Sequence, residues 1–81
     1  MSDQVRAIIS EHGRLPVDIG GLADDADLYQ AGMTSHASVN LMLALEAAFD
    51  VEFPDSMLKR SVFQSVASIT EALQTLGAQA A

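Results

Sequence analysis

No cysteine occurs in the chain, which excludes a disulfide framework, a Cys-based zinc site and a protein thiol as nucleophile. Cations are nearly as scarce. Arg6, Arg14, Lys59 and Arg60 stand against 11 acidic residues, for a formal net charge of −7. Phosphate contacts need clustered Lys and Arg, so nucleic acid is a poor partner; acidity of this size favours solubility and basic partner surfaces. No apolar run approaches the length needed to span a bilayer. The opening MSDQVRAIIS has neither the basic start nor the apolar core of a signal peptide. These absences give the expectation of a soluble, cytoplasmic protein that binds no membrane.

What is present is apolar and helical in pattern. Hydrophobic residues make up 49% of 81 residues, too many for a disordered tail and enough for one small domain whose core is only marginally sufficient. Val5, Ile8, Ile9 and His12 recur at helical spacing after a cap at Ser2 or Asp3, with Gly13 as the stop. His12 reads as the polar edge of that face. A long connection, residues 14–34, carries Pro16, Gly20, Gly21 and the acidic run Asp24, Asp25, Asp27. Leu15, Val17, Ile19, Leu22, Leu28 and Tyr29 can tie it to a core, with one short helical turn. The acidic run does not fit an EF-hand loop: counted from Asp25, Gln30 and His36 stand where a glycine and a carboxylate are required. It reads as a solvated acidic loop.

The second helix is expected over residues 35–49, capped by Thr34 or Ser35. Val39, Met42, Leu43, Leu45 and Phe49 supply its buried stripe, with Leu41 and Ala44 widening it. Pro54 ends the extended VEFP stretch and opens a short third helix over residues 55–60, with Met57 and Leu58 facing inward or toward a partner. Lys59 and Arg60 suit its negative C-terminal end. Ser65 caps a fourth helix in which Val66, Ile69, Leu73 and Leu76 recur, and Gly77 ends it. The fold class is therefore all-α: a four-helix bundle of three longer helices and one short third helix, with a long loop between the first two. The domain covers residues 1–77, and residues 78–81 form a disordered tail.

The stretch GMTSHA puts two hydroxyls, Thr34 and Ser35, and the ring of His36 at the start of the most apolar segment. Three roles compete for Ser35. As a nucleophile it needs a base within reach and a group to orient that base; adjacent helical residues point about 100° apart, and Ala37 replaces the second glycine of a nucleophile elbow. Self-contained catalysis is disfavoured. As a cap it is redundant, because Thr34 already supplies one hydroxyl. As a substrate it is well placed, since a phosphate there meets free N–H groups and the positive end of the helix dipole.

At these residues the chain resembles the acyl and peptidyl carrier protein superfamily. The family's D-S-L tripeptide after a glycine corresponds to GMTSH, and VNLMLALEAAFDVEFPD matches V-x-L-x-x-x-L-E-x-x-F-x-x-x-x-P-D without a gap. Val39, Leu41, Leu45, Glu46, Phe49, Pro54 and Asp55 carry that match. SVASI resembles the start of the family's last helix, and DLYQAG its loop. The resemblance implies that a phosphopantetheinyl transferase moves 4′-phosphopantetheine from coenzyme A onto Ser35. The arm's thiol then holds a cargo as a thioester, and the chain is not itself an enzyme.

Departures from the pattern refine this. Thr34 replaces the Asp before the serine and His36 the Leu after it, and the exposed positions of the second helix are read as Ala37, Asn40, Ala47 and Ala48. Partners that expect an acidic helix should bind this one poorly. The chain looks most like small stand-alone aminoacyl carrier proteins, served by amino acid:carrier protein ligases similar to truncated seryl-tRNA synthetases. Glycine or alanine is the expected cargo, and the downstream acceptor enzyme is left open. Alternatives are an acyl carrier of a specialised lipid or polyketide pathway, and an unmodified scaffold. Expected partner contacts are Met33 and Thr34 beside the serine, His36, Val39, Asn40 and Leu43 along the second helix, and Met57, Lys59 and Arg60 on the third. A monomer without metal is expected.

Overall fold

The computed structural model describes residues 2–77, so the expected tail lies outside the described residues. Four helices form: α1 at Ser2–His12, α2 at Ser35–Phe49, α3 at Arg60–Phe63 and α4 at Val66–Thr75. Two 3-10 turns, Ile19–Gly21 and Asp55–Met57, interrupt the connections, and no strand occurs among the described residues. α1 packs on both α2 and α4, and α3 packs on α4. Val5, Ile9, Leu28, Leu41, Leu45, Ile69 and Leu73 are completely buried at the centre. Burying one such side chain contributes about 1.5–3 kcal/mol, so a handful of them decides the stability of a domain this small.

Helix starts follow local chemistry closely. The Thr34 side chain accepts from the Ala37 N–H at 3.0 Å and caps α2. Ser65 caps α4 by accepting from the Ser68 N–H at 3.0 Å, and the Ser68 hydroxyl accepts in return from the Ser65 N–H at 3.0 Å. This reciprocal box satisfies two backbone donors at once. At α1, Ser2 and Asp3 lie inside the first turn instead of preceding it; the Asp3 carboxylate there meets the positive end of the dipole. Gly13 closes α1 as expected, donating to the Ile9 carbonyl at 2.7 Å, but Arg14 takes the left-handed φ of 51°.

The long loop is tied down by polar contacts that its apolar residues alone did not reveal. Arg6 on α1 donates to the Ile19 carbonyl at 2.7 Å and pairs with Asp24. The Asp24 carbonyl accepts from the Ala67 N–H at 2.9 Å, and the Leu28 N–H donates to the Gln64 carbonyl at 2.7 Å. Asp27 accepts from the N–H groups of Tyr29 and Gln30 at 2.9 and 3.2 Å, folding the DLYQAG turn. The acidic run is thus not merely solvated: Asp24 and Asp27 are structural. Arg6→Gln is expected to lower stability by about 1.5–3 kcal/mol, since a charge-assisted bond to a part-buried carbonyl is lost. Asp24→Asn should cost under about 1 kcal/mol, because that side chain is exposed. Urea unfolding of the two variants checks the order.

The third helix differs from its expected place. The stretch from Asp55 makes only a 3-10 turn through Met57; Leu58 and the extended Lys59 break it, and α3 begins at Arg60. Beyond the break Phe63 is buried and meets Phe53 edge-on at 5.2 Å between ring centres. Phe53 is in turn pinned to α2, its N–H donating to the Glu46 carboxylate at 2.8 Å. A continuous helix from Asp55 would have a different phase at Phe63. Lys59 and Arg60 therefore stand at the N-terminal end of α3, not at a C-terminal end as the sequence suggested.

Candidate functional site

Ser35 is the first residue of α2 and is exposed. With Thr34 acting as the cap, the Ser35 hydroxyl makes no hydrogen bond among the described residues. The nearby Ser38 hydroxyl is engaged, donating to the Ser35 carbonyl at 2.7 Å. So of three hydroxyls at this helix start, two stabilise the backbone and one faces outward. The positions behind it are fixed by the loop: the Met33 N–H donates to the Leu28 carbonyl at 3.0 Å, and Gly32 adopts φ 120° against Pro16.

A groove of about 470 Å³ opens beside Ser35 between α2 and the segment leading into α3. Ser35, Ser38, Val39 and Met42 line one wall, and Leu58, Lys59, Arg60 and Phe63 the other. Tyr29 closes one part of it, with the Arg60 guanidinium 4.3 Å above its ring centre. No acidic residue lies in the first turn of α2. Among the described residues no group of three metal-binding side chains occurs.

Of the contacts expected from sequence, the structure brings Ser35, Val39, Lys59 and Arg60 to this groove, with Thr34 and His36 exposed beside it. Four residues lie elsewhere. Met33 is 4% exposed, because its side chain is part of the core under the loop, so it is no surface contact. Asn40 and Leu43 line a second cleft with Glu11, His12 and Arg14, and Met57 faces a third with Val62 and Glu71. The buried stripe of α2 also shifts. It consists of Ala37, Leu41 and Leu45, whereas Val39 and Leu43 are 52% and 53% exposed. Ala37 is buried, not exposed as expected, and Asn40 is half-buried. The shift follows from α2 being apolar on nearly every side, so that hydrophobicity does not select a face. Sequence reasoning did not identify Tyr29, Ser38, Met42 and Phe63 as lining the site, whereas Leu58 was read as facing inward or toward a partner; DLYQAG, singled out as a carrier-like loop, was the one signal for Tyr29.

A small helical bundle presenting a free hydroxyl beside a groove has the build of a carrier domain. Comparison with known proteins makes the class definite. Residues 3–73 match the phosphopantetheine attachment site family. The chain is 45% identical over 76 residues to the aminoacyl carrier protein of Agrobacterium fabrum, covering 94% of this chain and 92% of the relative. The chain belongs to the phosphopantetheine-bearing carrier proteins and, within them, to the aminoacyl carrier proteins. Its members carry a prosthetic group and are not themselves enzymes.

Solved structures agree on the fold. One is a crystal structure of an engineered Bradyrhizobium japonicum glycine:[carrier protein] ligase complexed with carrier protein from Agrobacterium tumefaciens and AMP. The chain matches it at TM-score 0.89 and 46% identity, over 91% of this chain and 99% of that one. Another is the Bradyrhizobium japonicum ligase complexed with glycylated carrier protein, matched at TM-score 0.75 and 28% identity over 88% and 95% of the two chains.

Proposed function

We propose that Ser35 is the attachment point of 4′-phosphopantetheine and that the cargo is a single small amino acid, glycine or alanine. The observation that carries this is the division of labour at the start of α2: Thr34 caps, and Ser35 is left exposed and unengaged. The local residues fit the group. In attachment, a bond forms between Ser35 Oγ and phosphorus, the pyrophosphate bond of coenzyme A breaks, and the hydroxyl proton and the adenosine bisphosphate leave. The Ala37 N–H is taken by the Thr34 cap, but those of Ser35 and His36 have no intrahelical partner, and the dipole of this 15-residue helix favours the phosphodiester. When bound, the group supplies a thiol that holds an amino acid as a thioester. Everything else falls to the chain: it presents the serine, keeps acidic side chains away from the first turn, and offers the exposed Val39 for contact.

The loading enzyme in this reading is an ATP-dependent amino acid:carrier protein ligase, and a phosphopantetheinyl transferase acts before it. The glycine:[carrier protein] ligases complexed with carrier protein in the similar solved structures support that choice. No helix among the described residues is long and apolar enough to cross a membrane, and we place the protein in the cytoplasm, where ATP and coenzyme A are made available. Incubating the modified protein with ATP, single amino acids and a glycine:[carrier protein] ligase tests the cargo. Gain of one glycyl or alanyl group, removed by hydroxylamine, is expected; loading only by fatty or malonyl groups from their own transferases would replace this reading with an acyl carrier.

His36 is exposed one residue beyond the serine. His36→Asp is expected to slow ligase loading severalfold while leaving the fold intact, because a carboxylate in a first helical turn is favourable. An unchanged loading rate removes His36 from the docking surface.

A further inference from the structure

We propose that Lys59 and Arg60 hold the phosphodiester of the attached group at the mouth of the groove beside Ser35, with Tyr29 as the platform that presents Arg60. This rests on Ser35 being the attachment point and adds the residues of this chain that position what is attached there.

Placement comes first. Ser35 is part of the groove's own lining, together with Val39, Met42, Leu58, Lys59 and Arg60. A phosphate bonded to Ser35 Oγ is tethered to this lining, and Lys59 and Arg60 are the two cations that share it. The groove, at about 470 Å³, falls in the range of small-molecule sites. Its apolar lining of Val39, Met42 and Leu58 suits the uncharged stem of such an arm, while the charged rim suits its phosphate.

Charge is the second argument. With 11 acidic residues against four cations, an exposed cation has carboxylates in excess to choose from. Neither Lys59 nor Arg60 forms an ion pair among the described residues. Both also stand at the start of α3, Lys59 as its cap and Arg60 as its first residue. A four-residue helix has too few aligned peptides for its dipole to account for either charge, and an anion carried on Ser35 supplies their counter-charge.

Geometry separates the two residues. The Arg60 guanidinium lies 4.3 Å from the centre of the Tyr29 ring, a cation–π contact that restrains its plane. Tyr29 is itself held, its N–H bonded to Asp27 and its carbonyl accepting from Gly32 at 3.1 Å. The guanidinium's five N–H donors match phosphate oxygens, and no side-chain hydrogen bond or ion pair of Arg60 occupies them among the described residues. Lys59, a mobile point charge on an extended residue, adds attraction without fixed direction.

The test uses the modified full-length protein and two readouts besides loading. Phosphorus NMR follows the phosphodiester directly. Emission of Tyr29 follows the platform without labelling, since the chain has one tyrosine and no tryptophan. Intact mass first establishes modification of wild type, Lys59→Gln, Arg60→Gln and the double variant; both side chains are exposed, and circular dichroism confirms the fold. The wild-type phosphorus signal should relax about twofold faster than that of the double variant, whose phosphate joins the fast motion of a free chain. Added salt should narrow that gap. Tyr29 emission should change on modification in wild type and not in Arg60→Gln, with Arg60→Lys intermediate. Equal relaxation in all modified forms, with Tyr29 emission indifferent to modification, overturns the assignment while leaving the attachment at Ser35 intact. Absence of any mass gain overturns both.

Discussion

Ser35→Ala is expected to abolish the gain of about 340 Da that the wild-type chain shows with coenzyme A and a broad-specificity phosphopantetheinyl transferase. The loss should be complete, and stability should stay within about 0.5 kcal/mol of wild type. Both halves follow from the same geometry. The Ser35 hydroxyl holds nothing in place, because Thr34 accepts from Ala37 and Ser38 serves the Ser35 carbonyl. Thr34→Ala should give the reverse: a loss of about 1 kcal/mol from the missing cap, with modification retained. Urea midpoints and intact masses of the two variants form a crossed pair. If Ser35→Ala still gains the group, the attachment point lies on another residue. If Thr34→Ala alone abolishes the gain in a folded protein, the hydroxyl that matters is the neighbouring one.

That crossed pair rests on a feature legible from the sequence, since two hydroxyls in series at a helix start leave one to spare. The start of α2 was equally legible, because a capping threonine marks it chemically, and its end falls at Asp50, which takes the left-handed conformation, ahead of the extended stretch that Pro54 closes. The face of α2 was not. Ala37, Leu41 and Leu45 turn inward while Val39 and Leu43, equally apolar, turn out. Only the positions of α1 and the loop choose between these stripes, and those are long-range facts. The same holds for Arg6, whose partners lie 13 and 18 residues away. Among four scattered cations nothing local marked it as the one that ties the loop to α1. The break before α3 illustrates a third kind of failure. Proline and aspartate signal a helix start at Asp55, and a start does form, as a 3-10 turn. Leu58 and the extended Lys59 break its continuation, and beyond the break Phe63 meets Phe53. With the break where it is, Lys59 and Arg60 line the same groove as Ser35.

Gly32→Ala is expected to be the most damaging single-methyl change near the site. Gly32 sits at φ 120°, where an L side chain is strained, and such strain costs about 1–3 kcal/mol. Space is also lacking. A Cβ built there falls 2.5 Å from Cδ and 2.7 Å from Cγ of Pro16, and forced overpacking costs a further 1–3 kcal/mol or so. Pro16 is a rigid ring, so little of the clash can be relieved by rotation. Adding Pro16→Ala to Gly32→Ala should therefore recover the overpacking share and leave the backbone share, giving a coupling of the kind double-mutant cycles resolve. Full recovery would mean that the φ angle is not strained; no recovery would mean that Pro16 is not the obstacle. The consequence for function follows from where the strain must go. Gly32 stands three residues before Ser35, and Gly32 N–H bonds to the Tyr29 carbonyl. Relaxing the turn therefore moves the cap and the aromatic platform together. Modification of Gly32→Ala should slow more than the unfolded fraction accounts for, when rates are compared at temperatures where wild type and variant are equally folded. A rate that tracks the folded fraction alone would confine Gly32 to a structural role and separate the stability of this turn from the presentation of the serine.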